Sequence, residues 1–316
     1  MKTDCNKEIG GYFELELPCG SSYHRDAAAL NSGHNALRCL VRNRKIRKLR
    51  IPRYTCPVVP DALQREGCEF SFYEIGEDFL PVDDLPETDY ILYTNYFGVC
   101  ARQVEALAGR YPKLIVDNAQ AFYMPFRGMA GFYSPRKFVG VPDGGYLYGT
   151  VPPEEKLERA CSWDKMTPQL KRLDCGAGAG YPDFQRSERQ LWEEPVLGMS
   201  HLTEKILNSI DYESIRAKRL KNFQYLHSAL GTRNGLKLEL TPLDVPMVYP
   251  FLSADSGLRD KLIANRIFVA KYWPGMEQWC QETAWELHLQ QYLAPLPIDQ
   301  RYDIADMQRI LEVMNV

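Results

Sequence analysis

The chain contains no Cys-x-x-Cys, no apolar run of eighteen or more residues and no excess of basic charge. Each absence removes a class of function. Its nine cysteines, at 5, 19, 39, 56, 68, 100, 161, 175 and 280, are scattered and odd in number. That spacing excludes a zinc ribbon and fits reduced thiols better than a disulfide framework. Without a long apolar run, no segment reads as a membrane-spanning helix. The opening MKTDCNKEIGG lacks the apolar core of a signal peptide, so the expectation is a cytoplasmic protein with no membrane partner. A net charge of -3 and a pI near 6.0 give no reason to expect nucleic acid. The one basic run, Arg42 to Arg50 (RNRKIRKLR), reads first as a solvated helix end and second as a phosphate-contacting patch. There is no G-x-S-x-G elbow for serine hydrolysis. His288, beside Trp285 and Glu286, reads as a core residue on an apolar strand face rather than a metal ligand.

What is present is an ordinary globular composition, 316 residues with 45% hydrophobic and 25% charged. That length accommodates two domains, or one large α/β domain with an appendage. Residues 7–17 alternate enough to suggest a lead-in that packs at a sheet edge. Ala27 to Leu30 are good helix formers, Asn31 to Asn35 interrupt, and Ala36-Leu37-x-x-Leu40-Val41 carries an apolar helical face. From about 46 to 117 strands alternate with helices: 48–54, helix 60–67, 69–75, 90–95, helix 103–111, then the strand from Lys113. This is the signature of βαβ units and a mainly parallel sheet. Residues 171–185 (KRLDCGAGAGYPDFQ) are Gly-rich and polar, and read as a mobile lid or dimer-contact loop. Helical periodicity spans 199–230 with a break near Asp211. Strands are expected at 236–240, 246–251 and 267–270, and a helix at 258–265, as in a small C-terminal α/β domain.

The rest is organised around Lys113 to Gly145 (KLIVDNAQAFYMPFRGMAGFYSPRKFVGVPDGG). The apolar run Leu114-Ile115-Val116 stops at Asp117, which reads as a buried strand ending on a functional group. Lys137 follows after Ser134-Pro135-Arg136. An acid at a strand end and a later lysine are the two groups required by pyridoxal 5'-phosphate (PLP). The acid keeps the pyridine nitrogen protonated, and the amine forms a Schiff base. Phe132, Tyr133 and Phe138 around the lysine argue for a partly buried setting, where a free ammonium is costly. Taken alone, the pair recurs in many α/β proteins.

The wording VDNAQAF (116–122) followed by FYSPRKFVGVPDGGYL (132–147) resembles the DegT-type (DegT/StrS) sugar aminotransferases, PLP enzymes of fold type I. The resemblance implies an α/β chain of two parts. Residues 1–195 would form a large PLP-binding domain with a mainly parallel seven-stranded sheet, and 196–316 a small C-terminal domain. It places Asp117 on the pyridine-nitrogen partner, Gln120 near the ring hydroxyl, Ser134 on a phosphate ligand and Lys137 on the Schiff-base lysine. Ser32-Gly33-His34-Asn35-Ala36 matches the family segment that cups the phosphate, which assigns Gly33, His34 and Asn35 to cofactor binding. Three departures stand out. His34 replaces a hydroxyl residue. Cys56 occupies the place of the aromatic that stacks on the pyridine ring, leaving Tyr54 as the candidate stacker. Phe138 replaces an Asn that reaches a neighbouring active site. The implied function is PLP-dependent transamination of a keto sugar of the family's nucleotide-linked kind, with glutamate as amino donor and a homodimer as the assembly. A PLP-dependent sugar dehydratase and a non-catalytic PLP-fold binding protein are the alternatives.

Overall fold

The computed structural model describes residues 9–149 and 157–316, so positions 7 and 8 of the expected lead-in lie outside it. After an irregular start, a short strand β1 (Ala28–Leu30) leads into helix α1 (Gly33–Arg44). Ser32 fixes where α1 begins, because its hydroxyl accepts from the Asn35 N–H at 3.0 Å. There follow β2 (Lys48–Pro52), α2 (Val58–Arg65), β3 (Glu69–Tyr73), β4 (Ile91–Thr94), α3 (Ala101–Arg110) and β5 (Leu114–Asn118). Two further strands, β6 (Ala130–Tyr133) and β7 (Gly145–Tyr148), complete a seven-stranded sheet of order β1-β7-β6-β5-β4-β2-β3. Strands β3, β2, β4, β5 and β6 run parallel, and β7 and β1 are antiparallel to their neighbours. The alternation read from 46 to 117 is therefore the mixed α/β sheet expected, and β4 and β5 are buried along their whole length, as strands covered on both faces must be.

Downstream come α4 (Thr167–Cys175), α5 (Ala177–Glu193), α6 (His201–Asn208), α7 (Tyr212–Leu230), β8 (Tyr249–Leu252), α8 (Leu258–Ala264), α9 (Trp285–Tyr292), β9 (Leu293–Leu296) and α10 (Ile304–Met314). Strands β8 and β9 pair antiparallel as a separate ribbon. Asp211 caps α7 by accepting from the Ser214 N–H at 2.9 Å, so the break expected there is a helix start. Phe223 and Leu226 of α7 and Tyr249 of β8 join one buried cluster with Tyr54, Tyr96 and Val116 of the main sheet's side.

Several expectations are corrected. Ala28 to Leu30 form a strand rather than a helix, because pairing with Leu147, Tyr146 and Gly145 covers the edge of β7 and Ser32 allows no earlier helix start. Residues 9–17 form no regular element and pack at no edge; Ile9, Tyr12 and Phe13 are each more than 90% exposed. Residues 171–185 are not a loop. They run through the end of α4 and into α5, two helices packed side by side. The glycines serve that packing: a Cβ on Gly180 would sit 2.8 Å from the Pro168 carbonyl oxygen. Residues 236–240 and 267–270 are irregular. The bonds to β8 come just before the first segment, where the Gly235 N–H donates to the Leu252 oxygen and Asn234 Oδ1 accepts from the Leu252 N–H, and neither segment has a neighbouring strand among the described residues. His288 lies on helix α9, not on a strand, between the rings of Trp285 and Tyr292.

Candidate active site at the carboxyl ends of the parallel strands

In an open α/β sheet the strand ends leave a crevice where ligands bind. Here β5 delivers Asp117, in register with Thr94 of β4 and Phe132 of β6. Its side chain is buried, with 7% of the residue exposed. Oδ1 accepts from the Ala119 N–H at 2.8 Å, and Oδ2 takes no hydrogen bond from any described residue. Burial raises the Asp117 pKa, against the opposing pull of the Lys137 ammonium and the Ala119 N–H. Gln120 follows in the turn after β5. Its Oε1 accepts from the Phe97 N–H at 2.7 Å, which orients the amide. The Nε2 group is buried without an acceptor, a state that costs about 1–3 kcal/mol unless a ligand relieves it.

Ser134 directly follows β6, and a single 3-10 turn, Pro135–Lys137, carries the lysine. The start of α1 lies against Ser134: a Cβ on Gly33 would meet the Ser134 Cβ at 3.6 Å. The His34 N–H has no acceptor among the described residues, and a helix N-terminus favours anions. Lys137 is exposed in this chain, not partly buried as its aromatic neighbours suggested. Those aromatics turn away: Phe132, Tyr133 and Phe138 are all buried. Lys137 nevertheless lies near enough to Asp117 and Cys56 for its charge to oppose the burial that raises both their pKa values. A free carboxylate oxygen, a free amide NH2, a hydroxyl at a helix start and an amine thus stand at one end of the sheet. That donor and acceptor set fits PLP, whose protonated ring nitrogen, ring oxygen, phosphate and aldehyde need those groups in turn.

No protein-family model and no curated protein sequence matches the chain. Solved structures do. A DegT/DnrJ/EryC1/StrS aminotransferase from Brucella abortus superposes with a TM-score of 0.61 at 16% identity, over 92% of this chain and 85% of that one. DesV from S. venezuelae, solved with a ketimine intermediate, gives 0.61 at 18%, over 94% and 85%. PseC from Helicobacter pylori, an aminotransferase of pseudoaminic acid biosynthesis, gives 0.58 at 13%, over 92% and 85%. This chain has the sugar aminotransferase fold. The resemblance read from residues 116–147 therefore extends over nearly the whole chain as a likeness of structure.

Within the aminotransferase fold, the remaining sequence-derived candidates are placed differently. The His34 ring leaves the phosphate side: Nε2 bonds Asp61 Oδ2 at 3.1 Å, and the ring lies 6.2 Å from Trp192. Burial lowers its pKa. The Asn35 amide is spent on structure, donating to Asn31 Oδ1 at 3.0 Å and the Pro195 oxygen at 2.9 Å. Tyr54 is not brought to the site. It is fully buried, its ring 4.8 Å from Trp273 and 5.4 Å from Tyr96. Cys56 takes the position facing Lys137 and Asp117 instead, its pKa raised by burial. Two further groups escaped the sequence reading. Tyr272 is held up in pKa by burial and then by the nearby Cys56, and lies 5.8 Å ring-to-ring from Phe97. Glu188 of α5 pairs with Arg136, next to the lysine. The signal for Glu188 was the spacing of Gly180, Asp183, Ser187 and Leu191, the buried face of a helix hidden under a glycine-rich composition. For Tyr272 we find no such signal.

The Phe138 departure has a structural consequence. Its side chain is buried against Phe122 and Tyr123, with the Arg219 guanidinium 4.6 Å over the ring. Its carbonyl accepts from Gln300 Nε2 at 2.7 Å and Arg219 Nη2 at 3.4 Å. Arg219 is itself buried, which pushes its pKa down to about 10. The residue after the lysine is thus anchored inward, onto α7 and the segment after β9.

Proposed function

We propose that this protein is a PLP-dependent aminotransferase acting on a keto sugar. One observation carries the reading: a carboxylate oxygen, an amide NH2, a hydroxyl and an amine, none hydrogen-bonded to a described residue, stand at the carboxyl end of a sheet with the sugar aminotransferase fold. PLP, when bound, supplies an aldehyde for an amine and an electron-accepting ring. Lys137 holds the cofactor and moves a proton at the substrate carbon. Asp117 keeps the ring nitrogen protonated, and the low-dielectric setting that raises its own pKa strengthens that pairing. Gln120 orients the ring oxygen through Nε2, and Ser134 with the first turn of α1 holds the phosphate. Cys56, near Lys137 and Asp117, would stand where the resemblance places an aromatic beside the ring.

The finer parts of the reading follow from the resemblance: a nucleotide-linked sugar, glutamate as amino donor, a homodimer that completes the crevice over the exposed Lys137, residues 1–195 as the cofactor-binding domain with 196–316 as the smaller one, and a cytoplasmic location. Support for the last is that the described cysteines are all unbridged and that no described helix is long and apolar enough to cross a membrane. The test is direct. Purified protein supplied with PLP gains near-visible absorbance that shifts on adding glutamate, and borohydride reduction followed by mass spectrometry places the label on Lys137. A label on another lysine, or none, rejects the assignment.

A further inference from the structure

The basic run Arg42 to Arg50 divides in the fold, and the aminotransferase reading uses none of it. Arg42 pairs with Glu66 at 2.9 Å, Arg44 donates to the Gly149 oxygen, and Arg50 pairs with Asp89 at 2.6 Å. The side chains of Lys45, Arg47 and Lys48 have no hydrogen-bonding or ion-pair partner among the described residues. All three line one cavity of about 310 Å³, together with Arg50, Asp89 and Tyr90. The cavity lies where β2 and β4 begin, at the opposite end of the parallel strands from Asp117. Its volume is at the lower end of small-ligand sites, about 300–1,000 Å³. Asp89, the one carboxylate in its wall, is already neutralised by Arg50. Three exposed cations without a partner among the described residues, gathered around one concave site, raise the local potential and favour an anion there.

We propose that this cavity binds the diphosphate group of a small molecule through Lys45, Arg47 and Lys48. A lone carboxylate would engage one cation, whereas a diphosphate spreads charge over enough oxygens to engage all three, with the Arg47 fork taking two of them. Lys113 lies beside Tyr90, its Nζ 5.1 Å from the ring and bonded to the Thr88 oxygen. The site is separate from the cofactor crevice and stands whether or not the chain is an aminotransferase.

Calorimetric titration of the full chain at low salt, with inorganic diphosphate, ADP and inorganic phosphate, tests it. Diphosphate binds saturably at one site and more tightly than phosphate. Arg47→Glu with Lys48→Glu weakens that binding by about tenfold or more, while Arg47→Lys with Lys48→Arg keeps it. Circular dichroism confirms that the charge-reversed chain is folded, as expected for exposed positions. Ser134→Asp, which adds negative charge at the other end of the sheet, leaves diphosphate binding unchanged. ADP binding more tightly than diphosphate identifies a nucleoside diphosphate as the source, and equal binding identifies free diphosphate; both support the site. Absence of saturable binding, or binding that survives charge reversal and is lost with Ser134→Asp, overturns it.

Discussion

Two buried carboxylates flank the Lys137 turn, and they are treated in opposite ways. Asp143 is fully buried and accepts from the Ser200 N–H at 3.0 Å, from the Ser200 hydroxyl at 2.8 Å, and from the hydroxyls of Ser162 and Thr203. It ties the loop after the lysine to the start of α6. The glycine that follows has its own reason there: a Cβ on Gly145 would lie 2.3 Å from the Ser32 oxygen, so α1 starts this close to β7 only because the side chain is missing. Asp117 accepts one bond, from Ala119, and keeps Oδ2 free. A buried carboxylate saturated by the protein is architecture. One left with a bare oxygen costs free energy that a ligand can recover.

The largest expected effect falls on the amine between them. Lys137→Ala lowers transamination by about 10³-fold and leaves thermal stability unchanged, since the side chain is exposed; a melt shifted as much as the rate would make Lys137 a structural residue. Asp143→Ala comes next. It leaves buried donors of Ser200 and Thr203 unpaired and costs about 3 kcal/mol in denaturant unfolding, and a neutral result would erase the contrast with Asp117. A similar cost comes from pH. Burial pushes His24 down to about 4 from an ordinary 6.5. Because the unfolded chain binds that proton first, stability is complete above pH 6.5 and falls by about 3 kcal/mol as pH drops through 4. His24→Gln should flatten that slope, and an unchanged slope would reassign it. The smallest effect sharpens the comparison most. Asp117→Asn changes stability by less than about 1 kcal/mol, because it removes a desolvated charge with one hydrogen bond, yet it weakens PLP binding measured by absorbance. Loss of stability equal to that of Asp143→Ala would show the two carboxylates to be alike.

The sheet was readable because its strands are apolar runs punctuated by Gly, Pro and Asn, and the candidate site could be proposed from sequence because Asp117, Gln120, Ser134 and Lys137 are close along the chain. That Tyr54 stays out of the crevice was not readable in the same way. Strand spacing says that Tyr54 is buried, while the choice between the crevice and the Trp273 side depends on a residue more than two hundred positions away. The same limit hid Glu188 of α5, which pairs with Arg136, and Tyr272, which comes near Cys56 from the segment after α8.

Residue order on its own accounts for the β–α alternation, the caps at Ser32 and Asp211, and the cluster of ionisable groups at one strand end, since each rests on contacts a few residues long. Packing between distant segments settled the rest: alanines drawn into a strand by the β7 edge, glycines used for helix contact rather than motion, Phe138 turned inward under Arg219. Local preferences amount to at most about 1 kcal/mol per residue, and a buried contact or hydrogen bond supplied from elsewhere in the chain outweighs them.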